Sequence, residues 1–186
     1  MNKRVLVPIA DGSEEIEAVT IIDVLRRAGA DVTVASVDEL QITASRGVKL
    51  VADCVIGECR QRQYDLVVLP GGMPGAEHLR DNDILREILV RQSEAGQLFG
   101  AICAAPAVVL ETHGLLRNRK ATCHPGHVKK LLDPSAVAEP VVVDGNCVTS
   151  QGPGTAMAFA FKLVELLFDR EKMEAVAAPM VTLNVA

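Results

Sequence analysis

Gln97-Leu98-Phe99-Gly100-Ala101-Ile102-Cys103-Ala104-Ala105-Pro106-Ala107 decides how this chain is read. A short apolar strand runs into a lone cysteine, and a helix is expected at once, carried by Ala104 through Leu110. Pro106 is tolerated there because the first helical turn has N–H groups without partners. No turn residues separate strand from helix, so the backbone bends sharply at Cys103 and its side chain projects at the tip. Gly100, Ala101, Ala104 and Ala105 are small enough for backbone to crowd around it. The geometry is that of a nucleophile elbow, although Ala101 and Ala105 stand where G-x-S-x-G has glycines. Two readings of Cys103 stay open. Free cysteine is often a small packing hydrophobe. At a helix N-terminus, however, free N–H groups and the helix dipole lower a thiol's pKa and make it a nucleophile.

The rest of the chain alternates strands and helices around this corner. Arg4 to Ala10 is an apolar run of the kind found in buried parallel strands. Asp11-Gly12-Ser13-Glu14 closes it; Asp11 and Glu14 resemble a capping box, predicting a helix to about Ala28 that Gly29 stops. That helix is apolar on nearly every side from Ala18 to Leu25 and is expected to be largely buried. Asp31 to Val37 is a second strand, completing a βαβ unit. Gln41 to Thr43 and Val48 to Val51 read as a small hairpin around Ser45-Arg46-Gly47. Tyr64 to Leu69 is a third core strand, and Asp83 to Ala95 a helix ended by Gly96. The helix after the elbow ends near Gly114. Val141 to Thr149 reads as a hairpin, Ala156 to Phe168 as an apolar helix, and Glu171 to Ala178 as a final short one. The alternation predicts a doubly wound, mostly parallel α/β sheet with helices on both faces, one domain over residues 1–186. The loops at Asp11-Gly12, Pro70-Gly72 and Ile102-Cys103 then meet at its carboxyl edge.

Several residues at that edge carry chemistry. Glu14, Glu15 and Glu17 crowd the first turns of the first helix. Dipole complementarity and solvation account for such carboxylates, but one could turn inward and have its pKa raised. Glu15 heads a stripe of Ala18, Val19, Ile22 and Leu25, and Glu14 one of Ala18, Ile21 and Leu25; periodicity does not choose between them. Pro70-Gly71-Gly72-Met73-Pro74-Gly75 is neither G-x-G-x-x-G nor a Walker loop, so it is a tight turn or a source of inward-facing N–H groups. Cys123-His124-Pro125-Gly126-His127 has no matching ligand pair elsewhere, so no metal is expected. A histidine serving a nearby thiol is the commoner arrangement, and Pro125 holds His124 extended. His78 and His113 read as solvated helix positions. Asp23 and Arg27 are spaced for an i,i+4 ion pair.

Composition sets limits. Hydrophobic residues are 49% of the 186, yet aromatics are 3% with no Trp, so the core is aliphatic. The net charge of −5 disfavours a nucleic-acid surface. No apolar run reaches membrane-spanning length, and the segment after Met1-Asn2-Lys3-Arg4 is too short for a signal sequence. Five cysteines without a C-x-x-C pair suit free thiols in a reducing compartment, so a cytoplasmic protein is expected.

These motifs taken together resemble one family. Ala10-x-Gly12-x-Glu14-Glu15-x-Glu17, Arg26-Arg27-Ala28-Gly29, Leu69-Pro70-Gly71-Gly72, Ala101-Ile102-Cys103-Ala104, His124-Pro125 and Thr149-Ser150-x-Gly152-Pro153-Gly154-Thr155 are similar, in order, to the ThiJ/PfpI family. More narrowly they resemble its YajL-type, Parkinsonism-associated deglycase branch. The resemblance implies a flavodoxin-like fold and a homodimer. It implies a reactive Cys103, Glu15 as the glutamate bonded to the thiolate, and His124 beside the thiol. Gly72 and Ala104 N–H groups fall at the oxyanion site. Asp23, Arg26 and Arg27 fall on the dimer helix, and Ser45 and Arg46 on a loop reaching the partner's site. The peptidase-like branch follows its cysteine with histidine; Ala104 here argues against proteolysis.

The implied activity is a glyoxalase or deglycase without cofactor, acting on 2-oxoaldehydes such as methylglyoxal or on early adducts with protein side chains. The alternatives are a redox-sensing chaperone acting through Cys103 and an amidotransferase- or peptidase-like hydrolase.

Overall fold

The computed structural model describes residues 3–181, so Met1 and Asn2 lie outside the described part. β1 (Arg4–Ile9), α1 (Glu15–Arg27) and β2 (Asp31–Ser36) form the expected βαβ unit. β3 (Gln41–Thr43) and β4 (Lys49–Val51) pair antiparallel as the small hairpin. β5 (Cys54–Val55) is a two-residue edge strand that sequence reading missed. β6 (Leu66–Leu69), α2 (Gly75–Asp81), α3 (Asp83–Glu94) and β7 (Leu98–Ile102) follow. β8 (Val141–Asp144) and β9 (Cys147–Ser150) are the second hairpin, followed by α4 (Ala156–Leu167) and α5 (Arg170–Ala177).

The main sheet runs β5-β2-β1-β6-β7-β9-β8, parallel except for the β8–β9 pair. The chain fills the β2–β5 side first and then returns past β1 to add β6, β7 and β9. That reversal places the switch point between β1 and β6, where doubly wound folds open a crevice beyond the carboxyl ends of the strands. Phe99, Ala101 and Ile102 of β7 have no solvent exposure, although neighbours point to opposite faces. Both faces are therefore covered: α3 packs on β6 and β7, and α4 on β7, β8 and β9, while α1 packs on α4.

Four local expectations are corrected. Asp11 does not cap α1: its Oδ1 accepts from the Thr43 N–H (2.6 Å), and Glu14 is the N-cap, accepting from the Glu17 N–H (2.8 Å). The Ala18–Leu25 stretch of α1 is buried on one side only: Ala18, Ile21, Val24 and Leu25 are buried, whereas Val19 faces solvent, as does Ile16 before it. The segment after the elbow is not a regular α-helix. Pro106–Leu110 winds as a π-helix, with the Glu111 N–H donating to the Pro106 carbonyl (2.9 Å), and all five of its residues are buried. His113 is half-buried, with Nε2 hydrogen-bonded to the Arg80 carbonyl (3.1 Å), rather than solvated.

Candidate active site

Cys103 sits at φ +65°, a left-handed conformation that is costly for any residue with a side chain. The strain is held from both flanks. The Cys103 N–H donates to the Ser150 carbonyl of β9 (3.0 Å), and the Cys103 carbonyl accepts from the His124 N–H (2.8 Å). Cys103 is buried at this corner, with 8% of the residue's surface open to solvent.

The Gly71-Gly72 loop is wedged between this elbow and the loop after β1. A Cβ on Gly71 would lie 2.6 Å from the Cys103 Cβ and 2.9 Å from the Ala104 nitrogen. A Cβ on Gly72, at φ +88°, would lie 2.4 Å from the Gly12 carbonyl oxygen. No side chain fits at either position, and this close approach turns the Gly72 and Ala104 N–H groups onto the Cys103 sulfur.

The carboxylate at the sulfur is Glu17, not Glu15. Glu17 is fully buried, and its Oε2 accepts from the Gly71 N–H (2.8 Å). Its Oε1 is buried without a hydrogen-bond partner, and the side chain interacts with the Cys103 thiol. Burial raises its carboxyl to about 7, against the Gly71 hydrogen bond and the neighbouring Cys103 thiol, which pull the other way. Glu15 turns the other way. Its oxygens accept from the Ser45 hydroxyl (2.8 Å) and the Arg46 N–H (2.8 and 3.1 Å). Burial pulls Glu15 upward, but hydrogen bonds from its own backbone, Ser45, Arg46 and Val48 outweigh it and hold the carboxyl below its ordinary value.

The expected depression of the Cys103 pKa is also corrected. Burial first, then the charge on Glu17, push the thiol up to about 12, against the Gly72 and Ala104 N–H groups that favour thiolate. Burial alone raises Cys123 to about 11. Cys103 and Glu17 each act on the other's ionisation, the Glu17 charge raising the thiol and the thiol lowering the carboxyl. When Glu17 holds a proton, its repulsion of the thiolate vanishes.

His124 is tied to the elbow through its backbone. Its ring Nδ1 accepts from the Gly126 N–H (3.1 Å), leaving Nε2 as the proton-carrying edge. The ring borders an open cavity of about 260 Å³ lined also by Gln151, Gly152, Pro153 and Thr155. Asp23 Oδ2 accepts from Arg27 Nε (2.6 Å), and Arg26 Nη2 reaches Asp53 Oδ2 (3.2 Å); all four side chains are about half exposed. Among the described residues no group of three or more His, Cys, Asp and Glu side chains converges to hold a metal. Nor is any described helix long and apolar enough to cross a membrane.

A strained cysteine at the carboxyl edge of a doubly wound sheet, backed by a buried glutamate and two aimed N–H groups, defines a flavodoxin-like protein with an elbow thiol. Residues 3–166 match the DJ-1/PfpI family, and the chain belongs to it. Protein DJ-1 homolog B of Arabidopsis thaliana is 52% identical over 170 residues, which are 91% of this chain and 39% of that protein. The chain thus spans well under half of that relative. The glutathione-independent glyoxalase DJR-1.2 of Caenorhabditis elegans is 35% identical over 95% of this chain and 94% of its own length. The solved structure of oxidized Toxoplasma gondii DJ-1 superposes with a TM-score of 0.95 at 46% identity, covering 98% of this chain and all of that one.

Proposed function

We propose that the chain is a cofactor-independent, cysteine-dependent glyoxalase acting on methylglyoxal-type 2-oxoaldehydes, with deglycation of early protein adducts as the same chemistry on a bound carbonyl. The observation that carries this reading is the fully buried Glu17, with one carboxylate oxygen left without a hydrogen-bond partner, set beside the strained Cys103 and the Gly71-Gly72 loop. Cys103 thiolate adds to the aldehyde carbon, forming a C–S bond and an alkoxide that the two N–H groups hold. Glu17, which takes the thiol proton as the thiolate forms, passes it to the alkoxide; the freed carboxylate, with His124 as second carrier, then takes the proton from that carbon and returns it to the neighbouring carbon. The result is a lactoyl thioester, which water cleaves to lactate and the free thiol. The similarity to a protein named as a glyoxalase supports the substrate class. Lactate formation from methylglyoxal in Cys103→Ala is expected to fall by roughly 10³-fold or more; a variant that retains wild-type rates removes the proposal.

A second reading, redox sensing with a chaperone role, is favoured by one feature. The unpartnered Glu17 Oε1, once protonated, can donate to an oxygen added on sulfur. Mild peroxide followed by mass spectrometry should add two oxygens at Cys103 selectively; equal oxidation of all five cysteines counts against it.

The proposal includes a homodimer. Ile16 and Val19 of α1 and Val51 of β4 expose apolar side chains that a second copy would cover, and Glu15 holds the Ser45-Arg46 loop in place. Free thiols at all five cysteines fit cytoplasmic residence.

A further inference from the structure

Away from the elbow, a second pair of sulfurs lies at the outer edge of the sheet. Cys54 is the first residue of β5, and Cys59 ends the 3-10 turn Ile56–Cys59 that follows. Their sulfurs are 3.6 Å apart. Cys54 keeps 8% of its surface open and Cys59 none, so only Cys54 can be reached from solvent. The Tyr64 hydroxyl is buried beside Cys59 with no oxygen or nitrogen partner. No third ligand completes a metal site there among the described residues.

We propose that Cys54 and Cys59 are a redox modification site that closes to a reversible intramolecular disulfide by exchange with a low-molecular-weight disulfide of the glutathione type. Cys54 thiolate attacks the small disulfide, forming a mixed disulfide and releasing one small thiol. Cys59 thiolate then attacks the Cys54 sulfur, and the second small thiol leaves. Two protein thiols are oxidised, one small disulfide is reduced, and both protons end on the released thiols. The second step is intramolecular, between sulfurs already in van der Waals contact, so it outruns exchange with a free thiol. The sulfurs must approach by about 1.5 Å to reach bonding distance. Gly57 lies within the loop being closed, and a Cβ there would meet nothing within 4 Å, so the turn has room to give. β5 pairs with β2 at only Ala35–Cys54 and Ser36–Val55, so little of the sheet must follow. The arrangement separates the two redox chemistries of the chain. Cys103 is alone and can only be capped or oxygenated, whereas Cys54 has a resolving partner behind it.

The test is native protein, with Cys103→Ser as background, incubated in oxidised glutathione, then denatured and alkylated. The expected result is loss of alkylation at both Cys54 and Cys59, a peptide lighter by two hydrogens, full recovery with dithiothreitol, and a melting temperature raised by a few degrees before reduction. In Cys59→Ser the glutathione should remain on Cys54. A wild-type pair that stays fully alkylatable, or that stops as a stable glutathione adduct on Cys54, overturns the proposal without any variant having to fold.

Discussion

The first turn of α1 borders two regions of opposite chemistry. On its inner side Glu17 meets the elbow and the Gly71-Gly72 loop, with one backbone N–H for two carboxylate oxygens. On its outer side Glu15 meets the Ser45-Arg46 loop, which supplies a hydroxyl and an N–H. Both residues are buried in the chain, yet one carboxyl is raised to about 7 and the other lies below its ordinary value. Desolvation raises both, but Glu17 lies deeper and beside the Glu14 charge with one backbone donor, whereas Glu15 lies nearer the surface with more donors, and these differences together set the opposite outcomes. The undersupplied carboxylate is the one suited to exchange a proton with its surroundings. The well-supplied one is fit for pinning a loop.

The sharpest way to break this comparison is to neutralise each side. Glu17→Gln keeps the acceptor for the Gly71 N–H but cannot carry a proton, so methylglyoxal turnover should fall by roughly 10²–10⁴-fold in kcat. Glu15→Gln should lose less than about tenfold. Equal losses would show that the two carboxylates do not differ in role. Next in size is stability against pH. A carboxyl raised from 4.5 to about 7 binds its proton more tightly in the folded chain than in the unfolded one. Its contribution is therefore fully present below pH 4.5 and is lost as pH rises through 7, a cost of roughly 3 kcal/mol once ionised. Denaturant titrations should show Glu17→Gln matching wild type near pH 4 and exceeding it by up to about that amount at pH 8. A constant difference across pH would mean that Glu17 is ionised throughout.

How far this inner and outer assignment was legible in the sequence depends on helix phase. The elbow was legible because strand and helix signals abut at Cys103 with no turn residue between, and the positive φ follows from that compression. The parallel sheet was legible from the apolar runs of β1, β2, β6 and β7. The identity of the inward glutamate was obscured because Ile16 and Val19 are apolar but exposed, so hydrophobicity marked no single face. The signal that could have found it is the buried row Glu17, Ile21, Val24 and Ala28, at i, i+4, i+7 and i+11. The cap was misread for a different reason. Asp11 precedes a loop whose partner, Thr43, is 32 residues away, and local spacing carries no information about that contact. The π-helix at Pro106–Leu110 likewise follows from how the segment seats in the core beneath the elbow, not from its composition.

The smallest expected effect tests the outer side alone. Ser45→Ala removes the hydroxyl that donates to Glu15 Oε2 while leaving the Arg46 N–H in place. One charge-assisted bond at a partly buried site is lost, so the fold should weaken by about 1 kcal/mol near neutral pH. Because that bond favours the ionised form, the Glu15 carboxyl should move up toward its ordinary value, and the penalty should fade as pH drops and wild-type Glu15 itself becomes protonated. Carboxyl-carbon NMR titration reads both glutamates in one experiment. Glu15 should shift and Glu17 should not, because no atom of Ser45 reaches the Gly71–Glu17–Cys103 cluster through a described hydrogen bond. If Glu17 moved with it, the two sides of the first turn would be one coupled network, and the division of labour between them would have to be given up.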